Sequence, residues 1–572
     1  MHAEEQDVSA SHGSRQLEAR LRAVASGRCA QHAALCFGLA ALCDADGGPA
    51  YGLPPEVLSE LPEAEGAVVE ATGWWRLVAA VATHVVPLAF ITGEPPDEGV
   101  AIDLASFGEL LAISGGGSPI HDDVFSPAAE PPPALAAALD GGLLRCLELL
   151  MRRSGRAPDG PEAAVVRVLL RHSGGIDCFA FYLGPLLAYG EPRQAAALVT
   201  TTLKLLRTVD PQATVTGWAP WDSSYQSFML AGEAVLHVAF CWRYGFEAGD
   251  MARGAALGAG PAPASQQLVR LLSYAAWELL PEMSRALMAS QPFAPAPPLL
   301  TTLRWLSVLA ARCACQPCMP SGTTPASGDH GGTDGGQAAE GDNGCWWDLL
   351  LEMGTVELLD AALKMVPRLF DLDNLEFVQY FLCRVVEACC SVAAVCTRPA
   401  LTPEHAAVAR SEDADVAVAA AITPGPVAEP FRHAVTAAPP GASTRPQLPW
   451  RPELLREAAA QLQSLEEPAV AQDAEGLAAY LERGGGGTYE APPCGLLPLA
   501  LALLPPVEAR RVLPGRCANP ACANLEGDSE VDLTLKACAG CSAVGYCCRP
   551  CKTAHWRAGH KEECGRVQGD TL

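Results

Sequence analysis

Aromatic residues are scarce in this chain. They make up 6% of its 572 residues, although 49% of the residues are hydrophobic. Most of the apolar content is Ala, Leu and Val. Ala and Leu favour helices, whereas β-branched and aromatic residues favour strands. The composition therefore argues against a sheet-rich protein and predicts a mainly α-helical one.

Clustered basic residues are also lacking. The chain has 39 Lys and Arg against 65 Asp and Glu, for a net charge of −26. The longest basic runs are the pairs Arg152-Arg153 and Arg510-Arg511. A phosphate-binding surface needs clustered Lys and Arg. We therefore expect no nucleic-acid partner, and no nuclear import signal is recognisable.

The sequence contains no obvious membrane-spanning run. The longest apolar stretch, Leu77 to Ile91, includes His84 and Pro87 and is shorter than the ~20 residues that a span needs. The polar, acidic start after Met1 has no apolar region typical of a signal peptide. We expect an intracellular protein, cytoplasmic or nuclear, without a membrane partner. Its cysteines should then be reduced thiols or metal ligands.

Helical periodicity recurs along the chain and is interrupted by segments rich in Gly, Pro, Ser and Ala. We predict a helical body over 1–318, a disordered linker over 319–344, a helical segment packed on the body over 345–397, a second disordered linker over 398–449, a helical segment over 450–513 and a small, Cys-rich C-terminal domain over 515–565. The stretch Gly354 to Leu363 loosely resembles the start of an armadillo-type repeat helix, but no clean repeat period is present. The body is thus expected to be irregular or α-solenoid-like.

Individual helices can be proposed from the same periodicity. They are expected over 15–44, 67–92, 133–154, 161–173, 177–208, 224–244, 265–290, 297–316, 346–370, 373–397, 450–483 and 494–513.

Cysteine is abundant, with 23 residues, and several groups of cysteines outside the C-terminal region could in principle bind a metal. These groups are Cys29 with Cys36 and Cys43, Cys383 with Cys389, Cys390 and Cys396, and Cys313 with Cys315, Cys318 and either His330 or Cys345. Because free cysteine is among the most buried residue types, we interpret the first two groups as buried helix faces. The third group lies where a helix ends before a long, unpatterned loop, and we do not interpret it as a metal site either.

The C-terminal region is different, because it carries eight potential zinc ligands in four ordered pairs. The pairs are Cys517 and Cys522, Cys538 and Cys541, Cys547 and Cys551, and His560 and Cys564. Four Cys or His side chains close a tetrahedral zinc site, so eight predict two closed, structural zinc sites. In the second pair, Gly540 can adopt the positive φ that such turns often need. Two positions have alternatives, since Cys548 could replace Cys547 and His555 could replace His560.

The run Gly545-Tyr546-Cys547, followed by Cys551, Trp556, Gly559-His560 and Cys564, resembles the MYND zinc finger family. The Tyr-Cys dipeptide favours Cys547, and the terminal His-x3-Cys favours His560. The resemblance implies that residues 515–565 form a small, cross-braced, MYND-like zinc finger. Cys517, Cys522, Cys547 and Cys551 would hold one Zn²⁺ ion, and Cys538, Cys541, His560 and Cys564 would hold the other.

The same resemblance implies a binding role. MYND fingers mediate protein–protein contacts, several by docking short proline-rich peptides beside a hairpin and an aromatic residue. Trp556 could be that aromatic or a core residue of the finger, and Lys552 stands where the family commonly has Gln. The acidic loop that carries Glu526, Asp528, Glu530 and Asp532 is interpreted as a solvated surface.

These observations predict a zinc-binding adaptor whose finger docks a peptide or a partner protein. The alternative is an enzyme, for example methyltransferase-like, with an unrecognised active site in the helical body. His121-Asp122-Asp123 matches part of an iron-dioxygenase motif, but it lies in a Gly/Pro-rich loop. No phosphate-binding Gly-Lys-Ser/Thr loop or G-x-S-x-G elbow is present. We therefore expect no enzymatic activity.

Overall fold

The computed structural model describes the following residues: 72–80, 83, 130–172, 176–208, 224–241, 263–290, 296–315, 346–371, 374–398, 448–485, 487–492, 497–505, 508–509, 516–542, 544–562 and 564. The predicted helix over 15–44, the linker over 319–344 and nearly all of the linker over 398–449 lie outside these residues. So do the His121 motif, the group of Cys29, Cys36 and Cys43, and Cys318, His330 and Cys345.

The described residues are predominantly helical, which confirms the predicted fold class. The α-helices are α1 Thr72–Ala80, α2 Pro133–Asp140, α3 Leu143–Arg156, α4 Pro161–His172, α5 Ile176–Tyr189, α6 Pro192–Thr208, α7 Ser224–Cys241, α8 Pro263–Ala289, α9 Pro297–Cys315, α10 Trp346–Glu352, α11 Thr355–Leu363, α12 Leu375–Thr397, α13 Pro452–Ser464, α14 Pro468–Glu482, α15 Leu497–Ala502 and α16 Arg549–His555. A 3₁₀-helix spans Val366–Asp371, and a π-helical turn spans Trp556–His560. The strands β1 Lys536–Ala537 and β2 Gly545–Tyr546 pair in a two-stranded sheet.

The chain divides into two compact units. Unit one comprises Met1–Ala275, Val512–Cys517 and Ala521–Lys536, and unit two comprises Ala276–Arg511, Ala518–Pro520 and Ala537–Leu572. The domain boundaries proposed from the sequence remain predictions.

In unit one, α3 packs against α4 and α6, while α5 packs against α7. Leu144, Leu147 and Met151 on α3 are buried, as an apolar helix face requires. The same face also buries two charged residues, Glu148 and Arg152. A helix rarely buries charges unless they are paired, so this face must meet charged partners.

In unit two, α12 packs against α9, α11 and α14, and α13 packs along α14. Trp450 precedes α13 and donates its indole N–H to the Val356 carbonyl at 3.1 Å. The buried face of α12 contains the cysteines proposed as core, Cys383, Cys389, Cys390 and Cys396. Burial raises the pKa of Cys383 and Cys396 to about 11 and that of Cys390 to about 12, so these thiols are inert.

Helix α12 is also long and apolar enough to cross a membrane by length and composition, and it is the one such helix in the described part of the chain. Core helices of soluble proteins have the same composition, and 67% of its most apolar window is buried. It carries an Arg384–Glu387 ion pair at 2.7 Å. These charges interrupt its apolar residues, so its longest uncharged run is shorter than the stretch from Leu77 to Ile91.

Several helices predicted as continuous are broken in the structure. The predicted helix over 133–154 breaks at Gly142, and the one over 346–370 breaks at Gly354, both with a positive φ. The helix over 177–208 breaks between Tyr189 and Pro192, and the one over 450–483 breaks before Pro468. A left-handed residue ends a helix, and Pro is favoured at the first turn of the next one.

Two glycines, one within α14 and one just beyond its end, allow a matched test of this backbone effect. An added Cβ would have open space at both Gly476 within the helix and Gly484 beyond it, but Gly484 has a φ of +85°. We expect Gly476→Ala to raise the free energy of unfolding by about 0.4–1 kcal/mol and Gly484→Ala to lower it by about 1 kcal/mol. Urea unfolding measures both, and shifts of the same sign would contradict the backbone explanation.

Candidate metal centre

A short hairpin forms the scaffold of the C-terminal finger. In it, the Cys538 N–H donates to the Val544 carbonyl at 2.8 Å. The Gly545 carbonyl accepts from the Ala518 N–H, also at 2.8 Å, so the first cysteine knuckle is tied to β2. Helix α16 and the π-helical turn come next in the chain and bring the last two ligand pairs back to the hairpin. This local order places the four pairs in one small region.

The eight predicted ligands converge into two clusters. Cys517, Cys522, Cys547 and Cys551 form the first, and Cys538, Cys541, His560 and Cys564 form the second. In each cluster the ligand atoms all lie within 4.8 Å of one another. Pairs one and three therefore meet, as do pairs two and four, which confirms the cross-braced arrangement.

The distances within the clusters fit tetrahedral zinc. Zinc–sulfur bonds of ~2.3 Å at tetrahedral angles place two sulfurs ~3.8 Å apart. The Cys547–Cys551 Sγ atoms are 3.7 Å apart, and those of Cys538 and Cys564 are 3.9 Å apart. A disulfide would need ~2.05 Å. The Nε2 atom of His560 lies 3.7 Å from the Cys541 Sγ, so this nitrogen faces the second cluster. The two clusters fit two structural zinc ions.

The structure also decides between the alternative ligands. His555 is buried, and its Nδ1 is 3.0 Å from the Tyr546 hydroxyl, outside both clusters. Its ring stacks on that of His560 at a centroid distance of 4.9 Å. Cys548 is the residue preceding α16 and also lies outside the clusters, with its Sγ 3.8 Å from that of Cys547. His555 is therefore a packing residue, and the geometry favours Cys547 and His560.

Protonation within the second cluster is uneven. Burial alone would raise the pKa of Cys538. Hydrogen bonds from the backbone of Cys541 and Gly540 and from the His560 side chain outweigh this effect and lower that pKa to about 6. Burial, and then the neighbouring Cys538, raise the pKa of Cys564 to about 11. Two adjacent thiolates repel each other, so the cluster favours one thiolate until a cation neutralises both.

Two unusual backbone conformations close the knuckles. Ser542 has a φ of 57°, and its N–H donates to the Cys538 carbonyl at 2.9 Å. The prediction of a positive φ at Gly540 is wrong, because the left-handed residue closes the turn just after the second cysteine. Gly559 has a φ of 138°, which kinks the chain directly before His560. Glycine suits this position because it adopts positive φ without a Cβ clash.

Trp556 lies on the surface of the finger. It is 39% exposed, and one edge of its ring contacts the ring of His560 at a centroid distance of 6.0 Å. Of the two roles proposed for Trp556, this position favours the exposed contact residue over the core residue. Lys552 lies one helical turn before it on α16 and is half-buried.

The acidic loop differs from the prediction of a solvated surface. Glu526, Asp528 and Asp532 are exposed, but Glu530 is buried. Its carboxylate lies 2.9 Å from Arg152 and 2.6 Å from Lys204. The interpretation is therefore wrong for Glu530, because two cations from distant helices compensate the burial of its charge. The signal in the sequence was the charged pair Glu148 and Arg152 on an otherwise apolar helix face.

Residues 517–564 match the family model of the MYND finger. No curated protein and no solved structure matches the chain. The family match covers the segment in which the two clusters lie. MYND fingers are non-catalytic, zinc-binding modules for protein interaction. Residues 517–564 are therefore a MYND-type zinc finger, carried by a helical body that the family match does not reach.

Proposed function

We propose that this protein is an adaptor whose finger binds two structural zinc ions and docks a peptide or a partner protein. The observation that carries the proposal is the pair of interleaved clusters, each with four ligand atoms within 4.8 Å. Cys517, Cys522, Cys547 and Cys551 ligate one ion, and Cys538, Cys541, His560 and Cys564 ligate the other. Because four protein ligands close a tetrahedral site, the metal has no open position for water or substrate.

The docking surface of the finger is proposed to include β1 and Trp556. Both residues of β1 are exposed, and Trp556 presents a large ring to solvent. An extended peptide can add to an exposed strand through main-chain hydrogen bonds, and an adjacent aromatic ring supplies apolar contact area. Lys552 adds a positive charge next to this surface, which favours a peptide with an acidic residue near its docked segment.

The experiment compares substitutions of two finger cysteines, one inside and one outside the clusters, in the full chain. We expect Cys541→Ser to lower the zinc content below two ions per chain and to abolish partner capture. Cys548→Ser, the same change outside both clusters, should retain both ions and the partner. Trp556→Ala should retain both ions but weaken capture by ~10-fold or more, as for an exposed aromatic anchor. Zinc is measured by atomic absorption and capture by quantitative pull-down.

A wild-type chain without zinc after purification under reducing conditions would refute the proposed ligation. Two ions per chain with no partner that depends on Trp556 or on zinc would refute the adaptor role alone. Turnover of a substrate by the chain lacking residues 515–572 would favour the enzyme alternative. The expectation that no nucleic acid is bound remains a prediction.

We also propose an intracellular location, cytoplasmic or nuclear. The cysteines on the buried face of α12 and the described cysteines of the finger are not joined in disulfides, and MYND-type proteins are usually intracellular. Reduced cysteines persist in the reducing cytosol and nucleus. Cell fractionation tests the proposal, and recovery of the protein from the secreted fraction would contradict it.

A further inference from the structure

The acidic loop of the finger places one carboxylate between two helices of unit one. The loop leaves Cys522 and brings Glu530 between α3 and α6. Arg152 Nη1 on α3 lies 2.9 Å from Glu530 Oε2, and Lys204 Nζ on α6 lies 2.7 and 2.6 Å from its two oxygens. All of these residues belong to unit one. Both cations therefore bind the same buried carboxylate.

A second buried carboxylate, that of Glu148 on α3, completes the cluster. It accepts hydrogen bonds from the Ser529 hydroxyl at 2.5 Å, from the Glu530 N–H at 2.6 Å and from Thr201 at 3.0 Å. Arg152 Nη1 is 3.8 Å away. The side chains of Glu148, Arg152, Lys204 and Glu530 are at most 3% exposed. Two acids and two bases thus balance each other, and the loop supplies one of the four.

The loop backbone is held by the same cations. Arg152 donates to the carbonyls of Glu526 at 2.5 Å and Gly527 at 3.3 Å. Lys204 donates to the Asn524 carbonyl at 3.0 Å. Without these donors, the three carbonyl groups would need hydrogen bonds from water. The cations therefore satisfy the carbonyl groups of the loop, and the Glu530 carboxylate of the loop neutralises the cations. Removing either side leaves buried charge or unmet carbonyl groups.

Packing and a contact at the zinc ligand itself extend the interaction. Leu525 is buried against Gly155 on α3 and Leu205 on α6, where an added Cβ on Gly155 would clash with both leucine side chains. Arg207 at the end of α6 donates to the carbonyl of Cys522 at 3.4 Å. The anchored loop therefore begins at a residue of the first zinc cluster.

We propose that the loop 522–532 is a latch that couples zinc retention at the first cluster to the folding of α3 and α6. Zinc fixes Cys522, from which the loop starts, and the buried cluster fixes the loop itself. Zinc binding orders the start of the loop, and docking on α3 and α6 orders the rest of it. Each process therefore lowers the entropy cost of the other and strengthens it. The proposal rests on the zinc ligation given above and adds to it that the helical body holds the finger's metal.

The first test compares two Lys→Met substitutions in the full, zinc-loaded chain. Lys204→Met removes a cation of the latch and preserves side-chain length. Lys364→Met removes the cation of an exposed i,i+4 pair with Asp360. We expect Lys204→Met to weaken zinc binding, measured by competition with a chromogenic chelator, by about 5- to 150-fold, the usual range of coupling between sites. Lys364→Met should bind zinc with the wild-type affinity, and equal affinities for all three chains would overturn the latch.

A second measurement needs no variant and remains decisive if Lys204→Met does not fold. Hydrogen exchange is recorded for the wild-type chain before and after chelation. We expect zinc removal to accelerate exchange in α3 and α6 as well as in residues 517–564. Unchanged exchange in both helices, while the finger exchanges freely, would overturn the latch and leave the zinc ligation intact. A wild-type chain that never held zinc would instead refute the ligation.

Discussion

Removing zinc from the full chain is expected to unfold residues 517–564 while most of the helical body keeps its secondary structure. Each structural ion contributes about 10–16 kcal/mol of apparent binding energy to a small finger. In its described residues, the finger has two strands of two residues each, one short helix and one π-helical turn. The hydrogen bonds and apolar burial of so small a structure cannot replace the stabilisation that two zinc ions provide. Loss of far-UV circular dichroism should therefore be small, whereas protection of the finger amides should be lost.

The pH dependence of zinc binding gives this prediction a second readout. Without metal, the pKa of Cys538 is about 6 and that of Cys564 is about 11. At neutral pH, Cys538 is already a thiolate, but Cys564 must release a proton before it can bind zinc. Metal affinity should hence fall by at least about tenfold for each pH unit of acidification. Competition with a chelator of known pH dependence measures this slope, and a pH-independent affinity would contradict thiolate ligation.

The cause of unfolding can be separated from general effects of the chelator. Zinc-saturated chelator, which has no free capacity to bind more zinc, is the control and should leave finger exchange unchanged. Returning two equivalents of Zn²⁺ under reducing conditions should restore protection. A finger that retains protected amides after verified zinc loss would show that the metal is not structural.

The zinc centre could be predicted from sequence because its chemistry is local. The residue types Cys and His and their short spacings define each pair, and a pair needs only one turn to form. The cross-bracing came from the family resemblance and not from spacing. In the structure, the two clusters contain His560 and not His555, whose Nδ1 faces the Tyr546 hydroxyl.

The helix breaks fall at Gly and Pro residues that are visible in the sequence, but helical periodicity alone does not show whether a helix ends there. Gly142, Gly354 and Pro468 are not equivalent signals. The two glycines adopt the positive φ themselves, whereas before Pro468 the residue with positive φ is Glu466. Helical periodicity on either side of such a glycine is the same whether the helix continues or restarts. The backbone conformation depends on how the neighbouring helices pack, which a single sequence does not reveal.

The buried charge cluster could not be predicted, because its members are far apart in the chain. Glu148 and Arg152 face Glu530 only after α3, α6 and the finger loop have packed together. Acidic loops are usually solvated, and three of the four acids in this loop are exposed. Only the pair on the apolar face of α3 indicated that an opposite partner was needed.

Arg152→Met is expected to lower the free energy of unfolding of unit one by about 3–5 kcal/mol, because it leaves a buried carboxylate without its cation. Arg152 is fully buried and contacts both Glu530 and Thr201. Arg193→Met at the exposed start of α6 is the matched control and should change stability by no more than about 0.5 kcal/mol. Urea unfolding of the zinc-loaded full chain, monitored by exchange in α3 and α6, measures both.

The double variant Arg152→Met with Glu530→Gln removes one charge of each sign. Its loss in free energy of unfolding should therefore be smaller than the sum of the two single losses by about 0.5–3 kcal/mol.

The stability deficit of Arg152→Met should also depend on pH, with a defined sign. Burial raises the pKa of Glu148 in the folded protein, and loss of Arg152 removes a cation that opposes this rise. The folded variant then takes up a proton at a higher pH than the unfolded chain, so its stability deficit should shrink as the pH is lowered. A deficit that grows as the pH is lowered, or strict additivity in the double variant, would show that Arg152 stabilises the helices by packing and not by charge.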